Sequence, residues 1–140
     1  MPKRSVLQLL NYSVGEIRYR NIPLDDNHGR YHLHPRYERQ LIDLGNNKYD
    51  FFISVEIVPD EGSPSPFELY VSLIGHFMLG TSDGESLGEE AKGNILRNNT
   101  TAILFPFLRS IVTSVTASAN IPPLVLPILN FAEDTSNGNE

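Results

Sequence analysis

The sequence predicts an α+β fold, with strands in its first part and a long helix in its second, and two patterns indicate this. In residues 48–58 and 67–79, apolar side chains alternate with other residues at the period of two that is typical of β-strands. Around residues 103–115, they recur at the i, i+1, i+4, i+5 spacing of a helix stripe. A chain of 140 residues with 40% hydrophobic content fits one domain with a modest core.

The two alternating segments form a predicted hairpin, because PDEGSPSP (59–66) between them has the Pro and Gly content of a loop. The second face of each strand is not fully polar, since Phe52, Ile74 and Met78 lie on it. Several apolar side chains on neighbouring strands indicate a face that is covered or binds a partner. Cover by a helix of the same chain is the alternative.

The first 45 residues have weaker patterns. Residues 6–20 predict two extended pieces with a bulge or bend at Val14-Gly15. NIPLDDNHG (21–29) has the composition of a loop, and an extended stretch ends near Pro35. Leu41, Ile42 and Leu44 suggest a further short strand.

The helix stripe has an unusual opposite face. It consists of small, neutral residues, and Arg109 is the one charged side chain from residue 98 through residue 131. A surface helix of a monomer normally carries Lys and Glu on its outer side, so we expect this helix to pack on both sides, with another subunit as one partner. The predicted oligomer interface consists of Ser110, Thr113, Ser114 and Ala117.

Pro106 lies inside the apolar segment ILFPFLRS (103–110) and leaves two alternatives open. If the helix begins around Phe105, the proline occupies the first turn at little cost, and Thr100 or Thr101 is a candidate cap. If the proline lies inside the helix, the Ala102 carbonyl loses its donor and the axis should kink, at a cost of about 3 kcal/mol.

Composition argues against several functions. The net charge of −6 disfavours nucleic acid as a partner, and the absence of cysteine removes disulfides and thiolate metal sites. The N-terminus lacks the features of a signal peptide and no window has the uninterrupted apolar run of a spanning helix, so we expect a cytoplasmic protein. A Gly-x-Ser-x-Gly elbow is absent and the acids are scattered, so we expect neither an enzyme nor a cofactor. A metal site at His28, His32 and His34 is a distant alternative.

The segment from residue 103 to residue 131 resembles the C-terminal signature of the SecB protein-export chaperone family. That signature runs approximately I-L-F-P-[YF]-x-R, a helix, and then F-P-x-L-x-L-x-P-[IV]-N-F. The matching positions here are Ile103, Leu104, Phe105, Pro106, Phe107 and Arg109, followed by Ile121, Pro122, Leu124, Leu126, Leu129, Asn130 and Phe131. Upstream, LQLLNYSVGEIRYR, KYDFFISVEI and FELYVSLIGHFMLG resemble strands of the family in the same order.

The resemblance implies a four-stranded antiparallel sheet packed with one long helix, in subunits that assemble into dimers or tetramers around central helices. It implies a single domain over residues 1–131, followed by an acidic tail, 132–140, that we expect to be disordered. It also implies an ATP-independent holdase that binds unfolded preproteins in apolar grooves. The expected client-binding residues are Phe52, Ile74, Met78, Ile121, Leu124 and Leu126.

The chain departs from the family pattern at two places. A second helix usually follows the Asn-Phe of the signature, whereas here only AEDTSNGNE follows. Family members contact the SecA motor through an acidic surface on the early strands. Glu16 matches one acidic position, but Arg20 stands where another acid is expected and Tyr70 replaces a third. The alternative function is therefore a SecB-fold interaction module dedicated to one partner, such as one associated with a toxin–antitoxin system or a mobile element.

Overall fold

The computed structural model describes residues 5–23, 33–59, 65–81, 89–119 and 125–126 as one sheet packed against one helix. The elements are β1 (Ser5–Asn21), β2 (Arg36–Gly45), β3 (Lys48–Ile57), β4 (Phe67–Thr81) and α1 (Glu89–Ser118). The four strands form an antiparallel sheet in the order β1-β4-β3-β2, so β1 and β2 are its edges. This confirms the predicted α+β architecture.

The core lies between α1 and the central strands β3 and β4. In both strands the alternating apolar residues predicted to share a face are buried, and they meet the apolar stripe of α1. The predicted β3–β4 hairpin is confirmed, with Lys48 opposite Met78 and Ile57 opposite Leu69. The predicted loop at 21–29 and the predicted tail at 132–140 lie mostly or wholly outside the described residues.

Edge strand β1 is one long strand interrupted by two β-bulges, where the sequence predicts two pieces with one bend. The register against β4 shifts between Leu9 and Asn11 and again between Val14 and Glu16. The second shift confirms the predicted irregularity at Val14-Gly15. Gly15 lies close to β4 here, since a Cβ on it would lie 2.7 Å from the Ser72 hydroxyl oxygen.

Strands β2 and β3 are joined by a two-residue turn that the sequence analysis missed. Its central residues, Asn46 and Asn47, have φ angles of 55° and 61°, and Gly45 before them has a φ of 82°. Positive φ at both central positions is the geometry of the hairpin turns that match strand twist, and Asn tolerates it better than most residues. With this turn, the short strand expected around Leu41 becomes a ten-residue strand.

Helix α1 starts at Glu89, so the alternative of a helix that begins around Phe105 is wrong. Pro106 lies in the middle of the helix, on its exposed side. It has no N–H to donate to the Ala102 carbonyl. Thr100 and Thr101 do not cap the helix. They are buried within it, and their hydroxyls donate to the carbonyls of Leu96 and Arg97, each at 2.7 Å.

Helix α1 packs closely against the sheet at Gly75 in β4. A Cβ at this position would lie 2.7 Å from Cε1 of Phe77 and 3.2 Å from Cδ2 of Leu104. Leu104 is fully buried, and the residues that pair with Gly75 on either side are Tyr12 and Phe51. The missing side chain therefore provides the space into which Leu104 packs.

Contacts with β2 fix the other side of the helix. The Tyr37 ring packs edge-on against Phe105, with centroids 5.9 Å apart. The Arg39 guanidinium donates to the Thr101 hydroxyl at 3.1 Å. By length and composition alone, Lys92–Ser118 of α1 is apolar enough to span a membrane. In the structure its apolar stripe packs against the sheet and forms part of the core.

Gly75→Ala tests the close approach directly. The new methyl group has to displace Leu104 or Phe77, so the free energy of unfolding should fall by about 1–3 kcal/mol. Chemical denaturation at fixed protein concentration measures it. Gly93→Ala in α1 is the matched control, because a Cβ there meets nothing within 4 Å. That variant should gain up to about 1 kcal/mol. Equal stability of the Gly75→Ala variant and the parent protein would contradict the packing.

Tyr37 should make stability depend on pH in alkaline solution. Burial raises its pKa from 10.0 to about 12, so the folded chain keeps a proton that the unfolded chain releases. The stabilisation is complete below pH 10 and is lost as the pH rises towards 12. In denaturation curves over this range, the parent protein should lose stability more steeply than Tyr37→Phe. Parallel losses would show that Tyr37 does not titrate this way.

Candidate functional site

Apolar side chains of β1 remain exposed on the side of the sheet where α1 packs. Tyr12, Val14 and Ile17 are 36%, 45% and 46% exposed. The two bulges account for this placement, since the shifted register brings all three to the helix side of the strand. Tyr12 packs on Phe107 of α1, with ring centroids 4.7 Å apart, and Phe107 is itself 37% exposed.

The predicted oligomer residues lie next to this apolar group. Ser110, Ser114 and Ala117 are exposed and Thr113 is partly buried, all on the side of α1 that faces away from the sheet. These four residues and the four exposed apolar residues of β1 and α1 are called the helix-side surface below. It carries no charged side chain, and the sequence analysis missed its β1 part because the bulges hide the alternation.

The predicted client-binding residues lie on two different sides of the sheet. Phe52 and Ile74 are cross-strand partners on the face opposite α1, the outer face, where both are partly buried. Met78 lies four residues beyond Ile74 on that face and is 37% exposed. Leu126 instead is fully buried in the core with the residues of α1. An extended client polypeptide bound to one face of the sheet therefore does not contact both the outer-face residues and Leu126.

The apolar segment after α1 is described at two residues. Val125 is 60% exposed, although it was not among the predicted client-binding residues, and Leu126 next to it has no exposed surface. Ile121 and Leu124 lie outside the described residues. Successive side chains of an extended chain point to opposite sides, which explains why one faces solvent and the next enters the core.

Two ion pairs link β1 to itself and to β4 on the outer face. Arg18 contacts the Glu16 carboxylate at 2.6 Å and lies over the Tyr70 ring at 4.6 Å, and Arg20 contacts Glu68 at 3.0 Å. Arg18, Arg20, Glu68 and Tyr70 border a shallow depression of about 470 Å³ between the ends of β1, β3 and β4. Glu16, which the sequence analysis compared with an acidic position of the family, thus forms an ion pair with Arg18.

The histidines do not form a catalytic or metal arrangement among the described residues. His76 Nδ1 lies 2.7 Å from the Asp50 carboxylate on the outer face, and both side chains are partly exposed. Their strand partners further out are Asn11 and Ile42, neither of which is a nucleophile. Within the described part of the chain no three His, Cys, Asp or Glu residues converge on a metal position. His34 is exposed there, and His28 and His32 fall outside it.

Comparison with known proteins identifies relatives over most of the chain. The family model described as preprotein translocase subunit SecB matches residues 32–133. An uncharacterized protein of Methanocaldococcus jannaschii is 27% identical over 99% of this chain and 88% of its own length. The protein-export protein SecB of Nitrosococcus oceani is 30% identical over 69% of this chain.

The coverage of the named relatives is partial. The match spans 58% of the Nitrosococcus oceani protein and 49% of the SecB of Ehrlichia canis. Among solved structures, the SecB-like chaperone Rv1957 of Mycobacterium tuberculosis superposes with a TM-score of 0.67. That match covers 88% of this chain and 87% of that one at 17% identity, so it shows a shared fold. With the family model matching 102 residues of 140, the chain belongs to the SecB family.

Proposed function

We propose that the protein is an ATP-independent chaperone that binds exposed apolar segments of unfolded polypeptides. Membership in the SecB family supports this, since its named relatives are protein-export proteins. The observation that carries the proposal is the number of large apolar side chains left exposed around a complete sheet–helix core. Contiguous exposed apolar surface marks an interaction site, and cargo binding and subunit assembly are the two uses that it has in this family.

Assembly is proposed for the helix-side surface. Its exposed helix residues are small and uncharged, which permits close approach of a second helix. Tyr12, Ile17 and Phe107 supply apolar area beside them. Because a two-fold interface uses the same patch on both subunits, a self-complementary neutral surface suits a second copy of this chain.

Client binding is proposed for the segment around Val125 and Leu126, with the outer-face group Phe52, Ile74 and Met78 as a second contact region. The segment is favoured because Val125 is more exposed than any other large apolar side chain whose burial the structure describes. Leu126 contacts a client only if it leaves the core. Binding of this kind needs no reaction at a catalytic centre, which agrees with the sequence-based expectation of a protein that is not an enzyme.

Interaction with SecA through the outer face is proposed to be weak at most. The family contact depends on acidic charge, and here Arg18 and Arg20 neutralise Glu16 and Glu68.

A dedicated partner is the second candidate function. It is favoured by the fold shared with Rv1957, whose structure contains a ChAD peptide from the antitoxin HigA1. Tight binding to one partner together with indifference to random unfolded chains would support this alternative.

Suppression of aggregation tests the holdase proposal. At stoichiometric amounts and without nucleotide, the protein should prevent the light scattering of a chemically denatured client on dilution. Val125→Glu should weaken this protection several-fold, because it puts a charge into the proposed contact. Met78→Glu is the matched variant on the outer face and should have the smaller effect. Unchecked aggregation with the parent protein would reject the proposal.

Ser114→Arg tests the assembly surface. Ser114 is exposed, so the substitution should leave the subunit folded, while its charge and bulk oppose close packing of two helices. Native mass spectrometry should show a shift from the assembled form towards the monomer of 15.7 kDa. Gln40→Arg adds the same charge on the exposed outer face and should leave the mass unchanged. An unaltered oligomer in the Ser114→Arg variant would place the interface elsewhere.

A further inference from the structure

Met78 presents an exposed thioether side chain on the outer face, in a chain with little other sulfur. The sequence contains no cysteine and two methionines, Met1 and Met78. Met78 is 37% exposed, whereas its neighbours Phe77 and Leu79 are buried in the core. A solvent-exposed thioether is open to oxidation to the sulfoxide. In the described part of the chain, Met78 is therefore the side chain whose sulfur an oxidant in solution reaches.

The strand register places hydrogen-bond donors on both sides of Met78. Lys48 of β3 and Gln8 of β1 are its direct partners on the two neighbouring strands, and both are exposed. The Cβ atoms of such partners lie about 5 Å apart, within reach of long side chains. A thioether is a weak acceptor, whereas the oxygen of a sulfoxide is polar and accepts from an ammonium or an amide group. The surroundings of Met78 thus suit the oxidised side chain as well as the reduced one.

Met78 also belongs to the outer-face group, Phe52, Ile74 and Met78, that is proposed above as a second contact region for clients. It is the most exposed of the three, because Phe52 and Ile74 are partly buried. An unbranched thioether adapts its shape to apolar partners of different sequence. Conversion to a sulfoxide therefore removes apolar surface from the most accessible part of this group.

We propose that Met78 is an oxidative modification site, and that its sulfoxide lowers the affinity of the outer face for clients. The inference rests on the proposed chaperone function and adds control by peroxides to it. In this step the Met78 sulfur attacks one oxygen of hydrogen peroxide, the O–O bond breaks and an S–O bond forms. The sulfur gives up two electrons, which reduce the peroxide. The transferred oxygen loses its proton, and the other oxygen leaves with it as water.

The exposed position of Met78 separates this effect from damage to the fold. A sulfoxide disrupts a core, but Met78 is not part of the core cluster between α1 and the sheet. The donors of Lys48 and Gln8 compensate the new polar group where it lies. The oxidised protein should therefore keep its sheet and helix, so that affinity and stability are measured separately.

The experiment treats the full chain with hydrogen peroxide, removes the peroxide, and measures binding of a reduced, carboxymethylated, permanently unfolded protein by fluorescence anisotropy. Peptide mapping assigns the gain of about 16 Da per sulfoxide to Met78 or Met1. Oxidation of Met78 should weaken binding about threefold, because a polar group replaces a partly exposed apolar contact. Methionine sulfoxide reductases with a thiol should restore the affinity.

Met78→Leu is the matched control, because it keeps an apolar side chain of similar volume that peroxide does not oxidise. It should bind like the reduced parent before and after treatment. Because this variant retains Met1, any effect of oxidation at Met1 appears in it as well. Met78→Gln places a polar side chain at the same position and should bind like the oxidised parent without peroxide.

Unchanged affinity of the parent after oxidation of Met78 would overturn the inference, and so would equal losses in the parent and the Met78→Leu variant. Resistance of Met78 to a treatment that oxidises Met1 would overturn it too. A loss of affinity that accompanies unfolding in chemical denaturation would assign the effect to the fold and would also overturn it. These results differ from failure of the proposed function, in which the reduced parent does not bind the unfolded chain at all.

Discussion

The packing of Leu104 against Gly75 determines where every other surface of this subunit lies. A side chain at Gly75 would overlap Phe77 and press on Leu104, so the helix approaches the sheet closely only because that side chain is absent. Tyr12 and Phe51 on either side complete the apolar surroundings of Leu104. Beyond this contact the helix packs along β2, where it contacts Arg39 and Tyr37.

This placement of the helix divides the surface into regions with different chemistry. The sheet's other edge, β1, keeps Tyr12, Val14 and Ile17 exposed beside a neutral helix face. The outer face has paired charges, with Arg18 on Glu16 and Arg20 on Glu68. Exposed ion pairs of this kind add little stability.

Much of the fold could be predicted from the sequence, because buried strands and the helix stripe have strong periods. The alternation around Phe51 and Leu73 places both strands correctly, and the stripe that includes Leu104 and Leu108 identifies the core side of the helix. The start of α1 could not be predicted, because its first two turns are polar and contain Gly93. Thr100 and Thr101 looked like caps, since hydroxyls favour caps, yet inside this helix they bond back to carbonyls.

The candidate site was harder to predict from the sequence, because it depends on which side chains of each strand point to which face of the sheet. The first bulge brings Tyr12 and Val14 to the helix side and the second restores the register at Ile17, so a period of two does not reveal that all three share a side. Leu126 was grouped with Phe52 from sequence similarity, but it is buried in the core, away from the outer face.

The central claim is that assembly and client binding use separate surfaces of one subunit. Hydrogen–deuterium exchange of the assembled protein, with and without a permanently unfolded polypeptide, tests it most directly. The account predicts that the client slows exchange around Val125 and in the outer-face group Phe52, Ile74 and Met78, while β1 and the helix-side surface exchange at the same rate. Client-dependent protection of β1 together with a fall in native mass would contradict it, because the client would then compete with the second subunit.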